Sequence, residues 1–274
     1  MTKAADLASG KGHSDENFPV ASFLLRPEAR APVMAFYRFA RAADDIADNA
    51  EASQRVRLDL LAEMRAGLDG DGAPEGMALR EAMAARGIDP VHAHELLDAF
   101  VRDVTETRCR DWDDLIGYCR LSAMPVGRYV LDVHGESRDL WPANDALCAA
   151  LQVINHLQDC GKDYRALGRV YIPLDTGIDL ADLNRDRATP ALRAILTGLV
   201  GRTRGLLAQS AGFAAAIRDR RLAAEVAVIQ RLAESLCDRL ETRDPLSERV
   251  HHGKVEAAWL ALGAAVPTLL RRAA

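Results

Sequence analysis

Asp44 and Asp48 stand four residues apart in FYRFARAADDIAD, and Asp159 and Asp163 repeat that spacing in NHLQDCGKDY more than a hundred residues later. On a helix of about 3.6 residues per turn, positions four apart share one face, about 6 Å apart along the axis. Each pair therefore projects two carboxylates the same way. Extending the first stripe backward adds Arg41 and Tyr37, with Asp45 beside them; extending the second adds Asn155, with Gln152 and Gln158 close by. Such faces are costly in a core and useful in a cleft. The chemistry that needs them is the binding of hard divalent cations, which take oxygen ligands from one or two carboxylates and from substrate phosphate. Opposed aspartate pairs suit several Mg²⁺ ions bridged by a diphosphate. Their charge would repel a bare diphosphate, so metal is required, and Arg41 and Arg169 would supply further positive charge. Taken alone, either pair also reads as an ordinary solvated acidic face.

The elements that must position these groups are helices. Residues 31–47 carry apolar positions at helical spacing through Met34, Phe36, Phe39, Ala43, Ile46 and Ala47, with Pro32 tolerated near the first turn. Around the second pair, Leu151, Ile154 and Leu157 form the face opposite Asn155, Asp159 and Asp163. Further helices fit residues 53–68, 77–86, 90–107, 113–134, 143–164, 190–218, 222–242 and 254–272. A Gly- and Pro-rich loop covers 67–76 and a rim loop 173–190. With no composition shift, repeat or low-complexity tract, residues 1–274 read as a single domain.

Composition agrees with an all-α fold: 49% of residues are apolar and only 5% aromatic, with few β-branched runs. A net charge of −5 argues against nucleic acid as a partner. The five cysteines form no C-x-x-C pair and suit reduced thiols. The first residues lack the apolar core of a signal peptide, and no stretch approaches the roughly 20 apolar residues of a spanning helix. A cytoplasmic location is expected. Residues 257–270 are apolar and precede Arg271 and Arg272, which leaves two readings: a last core helix, or peripheral contact with the inner membrane.

Three ordered motifs carry a resemblance. FYRFARAADDIAD (residues 36–48), YCRLSAMPVGR (118–128), and QVINHLQDCGKDY followed by GRVYIP (152–164 and 168–173) resemble the squalene and phytoene synthase family. The likeness runs over nearly the whole chain. It implies a class I isoprenoid (terpenoid) synthase fold, a helical bundle around a central cavity, with Mg²⁺ as cofactor and a prenyl diphosphate as substrate. The segment SGKGHSDENFPVASFLL (9–25), together with SAMPVGR, looks most like the hopanoid-pathway branch, which takes presqualene diphosphate and water to hydroxysqualene and diphosphate. By this resemblance Asp44, Asp48, Asp159 and Asp163 would hold Mg²⁺, and Tyr37, Arg41, Gln152, Asn155, Arg169 and Tyr171 would contact diphosphate or order its surroundings. Asn17, Phe18 and Arg120 would meet the rest of the substrate. Contact with other squalene-pathway enzymes fits the same resemblance.

Three positions depart from the family pattern. Lys162 stands where an acidic residue commonly precedes the last aspartate, the step from Asp163 to Arg169 is one residue longer than in phytoene-type enzymes, and Arg120 replaces a usual tyrosine. Together these favour the hopanoid branch. The alternatives are head-to-head condensation of two farnesyl diphosphates to presqualene diphosphate or squalene (or a phytoene-type reaction), and a non-catalytic assembly factor of the same fold. No G-x-G-x-x-G follows a strand to suggest a hydride donor. His92, His94, His251 and His252 read as surface histidines, and Trp112, Trp141 and Trp259 as packed side chains.

Overall fold

The computed structural model describes residues 25–270. Asn17 and Phe18 lie outside the described residues, as do Arg271 and Arg272. The elements are α1 (Pro27–Ala47), α2 (Gln54–Asp69), α3 (Pro74–Ala84), α4 (Val91–Thr105), α5 (Trp112–Ser122), α6 (Met124–His134), α7 (Trp141–Leu167), α8 (Pro190–Ser210), α9 (Phe213–Ala216), α10 (Arg220–Thr242) and α11 (Lys254–Leu270). The all-α expectation holds among the described residues, where the only β feature is an isolated bridge between Arg108 and Val170. The described residues group into two compact units, one of residues 25–106 and 125–137, the other of 107–124 and 138–270.

The first unit is built on α1. Pro27 sets its start, so the helix begins four residues before the expected 31 and Pro32 falls inside it. A proline there withholds the N–H that the Glu28 carbonyl would have received. The Arg86 guanidinium donates to that carbonyl instead, and the buried Tyr129 hydroxyl of α6 donates to the Pro32 carbonyl at 3.1 Å. Phe36 stacks on Tyr129 at 4.3 Å between ring centroids, and Phe39, Ala43, Ile46 and Ala47 are fully buried. Burial thus fixes one side of α1 and turns the acidic stripe away from it. The expected loop over 67–76 is mostly helix, because α2 runs to Asp69 and α3 opens at Pro74. Its glycines serve close approach: a Cβ on Gly76 would stand 2.5 Å from the Met64 carbonyl oxygen.

In the second unit α7 is the longest helix, with Leu147, Val153, Ile154 and Leu157 buried. Packing against α7 and α10, α8 is tied to α10 by Arg204, which pairs with Asp238 at 2.6 Å and Glu241 at 2.8 Å. Two expected helices are broken. The 113–134 helix divides at Ala123, two residues before Pro125, which has no N–H to continue the ladder to the Leu121 carbonyl. The 190–218 helix stops at Ser210, whose hydroxyl turns to the Leu207 carbonyl and to Gln230, and Gly212 follows. The loop over 173–190 contains two 3₁₀ turns, Leu174–Thr176 and Leu180–Asn184. Gly76→Ala should lower stability by about 1–3 kcal/mol. Gly198→Ala, in α8 with nothing near a new Cβ, should raise it by up to about 1 kcal/mol. Thermal or denaturant melts of the two variants check the contrast.

Candidate active site

The last turns of α1 carry the first motif. Arg41 bridges two carboxylates, Nη1 lying 2.9 Å from Asp44 Oδ2 and Nη2 2.6 Å from Asp45 Oδ1. Asp45 is buried, while Tyr37, Arg41, Asp44 and Asp48 are half-buried along the expected stripe. Loss of hydration and the negative charge of Asp48 push Asp44 up to about 7, with Asp103 and Asp45 adding to the effect against the pull of Arg41. Asp103, buried near the end of α4, was not among the expected site residues. Its distance in sequence from Asp44 hides it.

On α7 the second motif stands in different company. Asn155, Asp159 and Asp163 lie half-buried on one face, with Gln152 a turn earlier. The exposed Lys162 ammonium lies 3.9 Å from Asp159. His251 is close enough to Asp159 and Lys162 to feel both charges. Contrary to expectation, His251 and His252 are half-buried. Gly168, at φ 66°, ends α7 in the left-handed conformation that glycine favours. The chain then turns back: the Arg169 N–H bonds the Asp163 carbonyl, and Val170 exchanges backbone hydrogen bonds with Thr107 and Cys109.

That return places Arg169, which is buried, and Tyr171 beside α7. Tyr171 stacks on His156 with centroids 3.7 Å apart, and Tyr118 of α5 leans on both rings at 5.1 and 5.7 Å. His156 is a second group that the sequence reading missed, because a histidine between Asn155 and Leu157 carries no metal spacing. It is 93% buried, its Nε2 has no hydrogen-bond partner, and burial with the Arg169 charge pulls it down to about 3. Arg120, on α5, is exposed. His92 corrects another expectation: it is buried, with Nε2 3.2 Å from Asp132.

Among the described residues no three His, Cys, Asp or Glu side chains converge as a ready-made metal cage. The donors nevertheless fit a cation such as Mg²⁺, which takes few protein oxygens and completes its shell with water and phosphate. The raised Asp44 marks a place where positive charge is wanted.

An all-helical chain bearing two helix-borne aspartate pairs has the architecture of an isoprenoid synthase. The squalene/phytoene synthase family matches residues 11–256, and the chain belongs to that family. It is 57% identical over 274 residues to the hydroxysqualene synthase of Zymomonas mobilis subsp. mobilis, covering 97% of this chain and 92% of that one. It is 51% identical over 278 residues to the hydroxysqualene synthase of Rhodopseudomonas palustris, covering 99% and 95%. Among solved structures, squalene synthase HpnC from Alicyclobacillus acidocaldarius aligns with a TM-score of 0.71 at 30% identity, covering 86% of this chain and 90% of that one.

The buried imidazole generates a pH prediction. Below about 6.5 the unfolded chain binds a proton at His156 that the folded chain refuses until about pH 3. Its contribution to stability is therefore complete above about pH 6.5 and is lost as pH falls. Denaturant melts at pH 7 and pH 5 should show wild type losing about 2 kcal/mol more than His156→Phe over that interval.

Proposed function

We propose that this chain converts presqualene diphosphate and water to hydroxysqualene and diphosphate, depends on Mg²⁺, and acts as one catalytic domain in hopanoid and squalene biosynthesis. The observation that carries this reading is likeness over nearly the full chain to two proteins named hydroxysqualene synthase. The two aspartate faces supply its chemistry.

Asp44, Asp48, Asp159 and Asp163 would hold Mg²⁺, which when bound neutralises charge developing on the departing diphosphate. Arg41, Arg169, Tyr37, Asn155, Gln152 and Tyr171 would orient that diphosphate by hydrogen bonds and charge. Asn17, Phe18 and Arg120 would meet the rest of the substrate. In the reaction the carbon–oxygen bond breaks with its electron pair leaving on diphosphate, and the cyclopropylcarbinyl cation rearranges. A water oxygen then forms the new carbon–oxygen bond, and its proton passes to the released diphosphate. The chain must not trap the cation itself. Cys160, next to Asp159, is buried, and burial pushes its thiol up to about 12.

Incubation of the protein with Mg²⁺ and presqualene diphosphate in ¹⁸O water, without a reductant, should yield labelled hydroxysqualene. Unlabelled product or no turnover would sink the assignment. Formation of presqualene diphosphate or squalene from farnesyl diphosphate alone would favour condensation, and no diphosphate release from either substrate would favour an assembly factor. Asp48→Ala and Asp159→Ala should each lower turnover about a hundredfold or more, and near-normal activity in either would refute the metal assignment. Lys162→Ala removes the ammonium beside Asp159. It should tighten Mg²⁺ binding, measured calorimetrically with inorganic diphosphate present, by about two- to fivefold.

A further inference from the structure

The outward face of α11 inverts the pattern of an ordinary surface helix. Among the described residues nine large apolar side chains are exposed, and five of them, Val255, Trp259, Leu262, Val266 and Leu270, belong to this helix. They recur at steps of three and four, so they form one stripe about 25 Å long. Ala258, Gly263 and Pro267 are exposed beside them. The helix packs along α10: Ala265 is buried, and at the edge of that contact the Glu256 carboxylate pairs with Arg239 of α10. The reading of residues 257–270 as a last core helix therefore fails, and so does the reading of Trp259 as packed, since it is 71% exposed. A hydrated helix would show charges on this face.

Charge decides what covers it. Lys254 and Glu256 are the only charged residues of α11, and Arg239 neutralises Glu256. The exposed Lys254 opens the helix, Glu248 and Arg249 are exposed in the segment before it, and Arg271 and Arg272 follow its end in sequence. The stripe is thus apolar, with Lys254 at its start and basic residues next in sequence after its end. A second copy packed antiparallel on the same stripe would bring like charges together at both ends, whereas anionic lipid headgroups would offset both. No helix among the described residues is long and apolar enough to cross a membrane, so the geometry calls for a helix lying on one.

We propose that the Val255–Trp259–Leu262–Val266–Leu270 face of α11 docks onto a bilayer containing anionic lipid, with the stripe among the acyl chains and the basic ends at the headgroups. Nothing in this inference depends on which reaction the enzyme performs, and its assay uses no turnover. The full chain should float with vesicles of phosphatidylcholine mixed with phosphatidylglycerol. It should bind pure phosphatidylcholine vesicles at least about fivefold more weakly. High salt should weaken the first binding. The double variant Trp259→Glu, Leu262→Glu should bind the mixed vesicles at least about tenfold more weakly, with its melting temperature unchanged because both side chains are exposed. If that variant melts early, Trp259→Ser alone should still show a clear loss. The proposal is overturned if wild type does not float with the mixed vesicles, if the folded variants float as well as wild type, or if wild type binds both vesicle types equally. A wild-type dimer in buffer that the double substitution dissolves, without vesicle binding by either, would assign the face to a second copy instead.

Discussion

The aspartate pairs sit toward the helix ends that least favour negative charge, Asp44, Asp48 and Asp163 nearest and Asp159 a turn further in. The aligned peptide dipoles place partial negative charge at a helix C-terminus, which disfavours a nearby carboxylate by about 0.3–1 kcal/mol. Asp44 and Asp45 fall in the closing turns of α1, and Asp48 caps its end. Asp159 and Asp163 lie in the closing turns of α7. Local cations offset part of this cost. Arg41 holds Asp44 and Asp45, and the Arg57 guanidinium donates to the Ala47 carbonyl at 2.9 Å, placing positive charge at the end of α1. The remainder of the molecule has to keep these turns intact against their own electrostatics, and the buried Phe36, Phe39 and Ile46 do so for α1 by packing its opposite side.

The two motifs resolve the same difficulty differently. Around α1 the carboxylates Asp44, Asp45 and Asp48 gather, with Asp103 added from α4, and the outcome is an Asp44 carboxyl that holds its proton near neutrality. Around α7 Lys162 and His251 approach Asp159, and Arg169 is buried behind the turn. The acidic surroundings of Asp44 and the mixed surroundings of Asp159 are thus different environments for a cation.

The helical fold was legible because its signals are local. Apolar residues at spacings of three and four mark α1, α4, α7 and α10, and Ser53, Thr189 and Asp219 cap helices whose starts could be read from them. The division between α5 and α6 was legible in principle from Pro125, but the strong apolar period on either side argued for continuity. Asp103 and the Tyr118–His156–Tyr171 stack were not legible, since they depend on residues far apart in sequence meeting in space. The burial of His92 is of the same kind, as it rests on Asp132. The choice of presqualene diphosphate came from resemblance and is now supported by identity across the chain, with Arg120 exposed and adding nothing by contact.

Periodicity identifies an apolar stripe but does not say which way it faces, and α11 shows why that matters. Its apolar residues are so numerous that a core helix was the economical reading, yet only Ala265 is buried. The orientation is set by packing along α10, with one polar contact at its edge. Glu256 is committed to Arg239, whose other nitrogen donates to the His251 carbonyl at 3.1 Å. The helix lies along α10, and Glu256, about 100° round the helix from Val255, is held by Arg239 at the edge of that contact, which leaves Val255 and the residues in its stripe outward. Packing along α10, with this ion pair at its margin, is what turns the most apolar face of the helix to the surroundings of the protein.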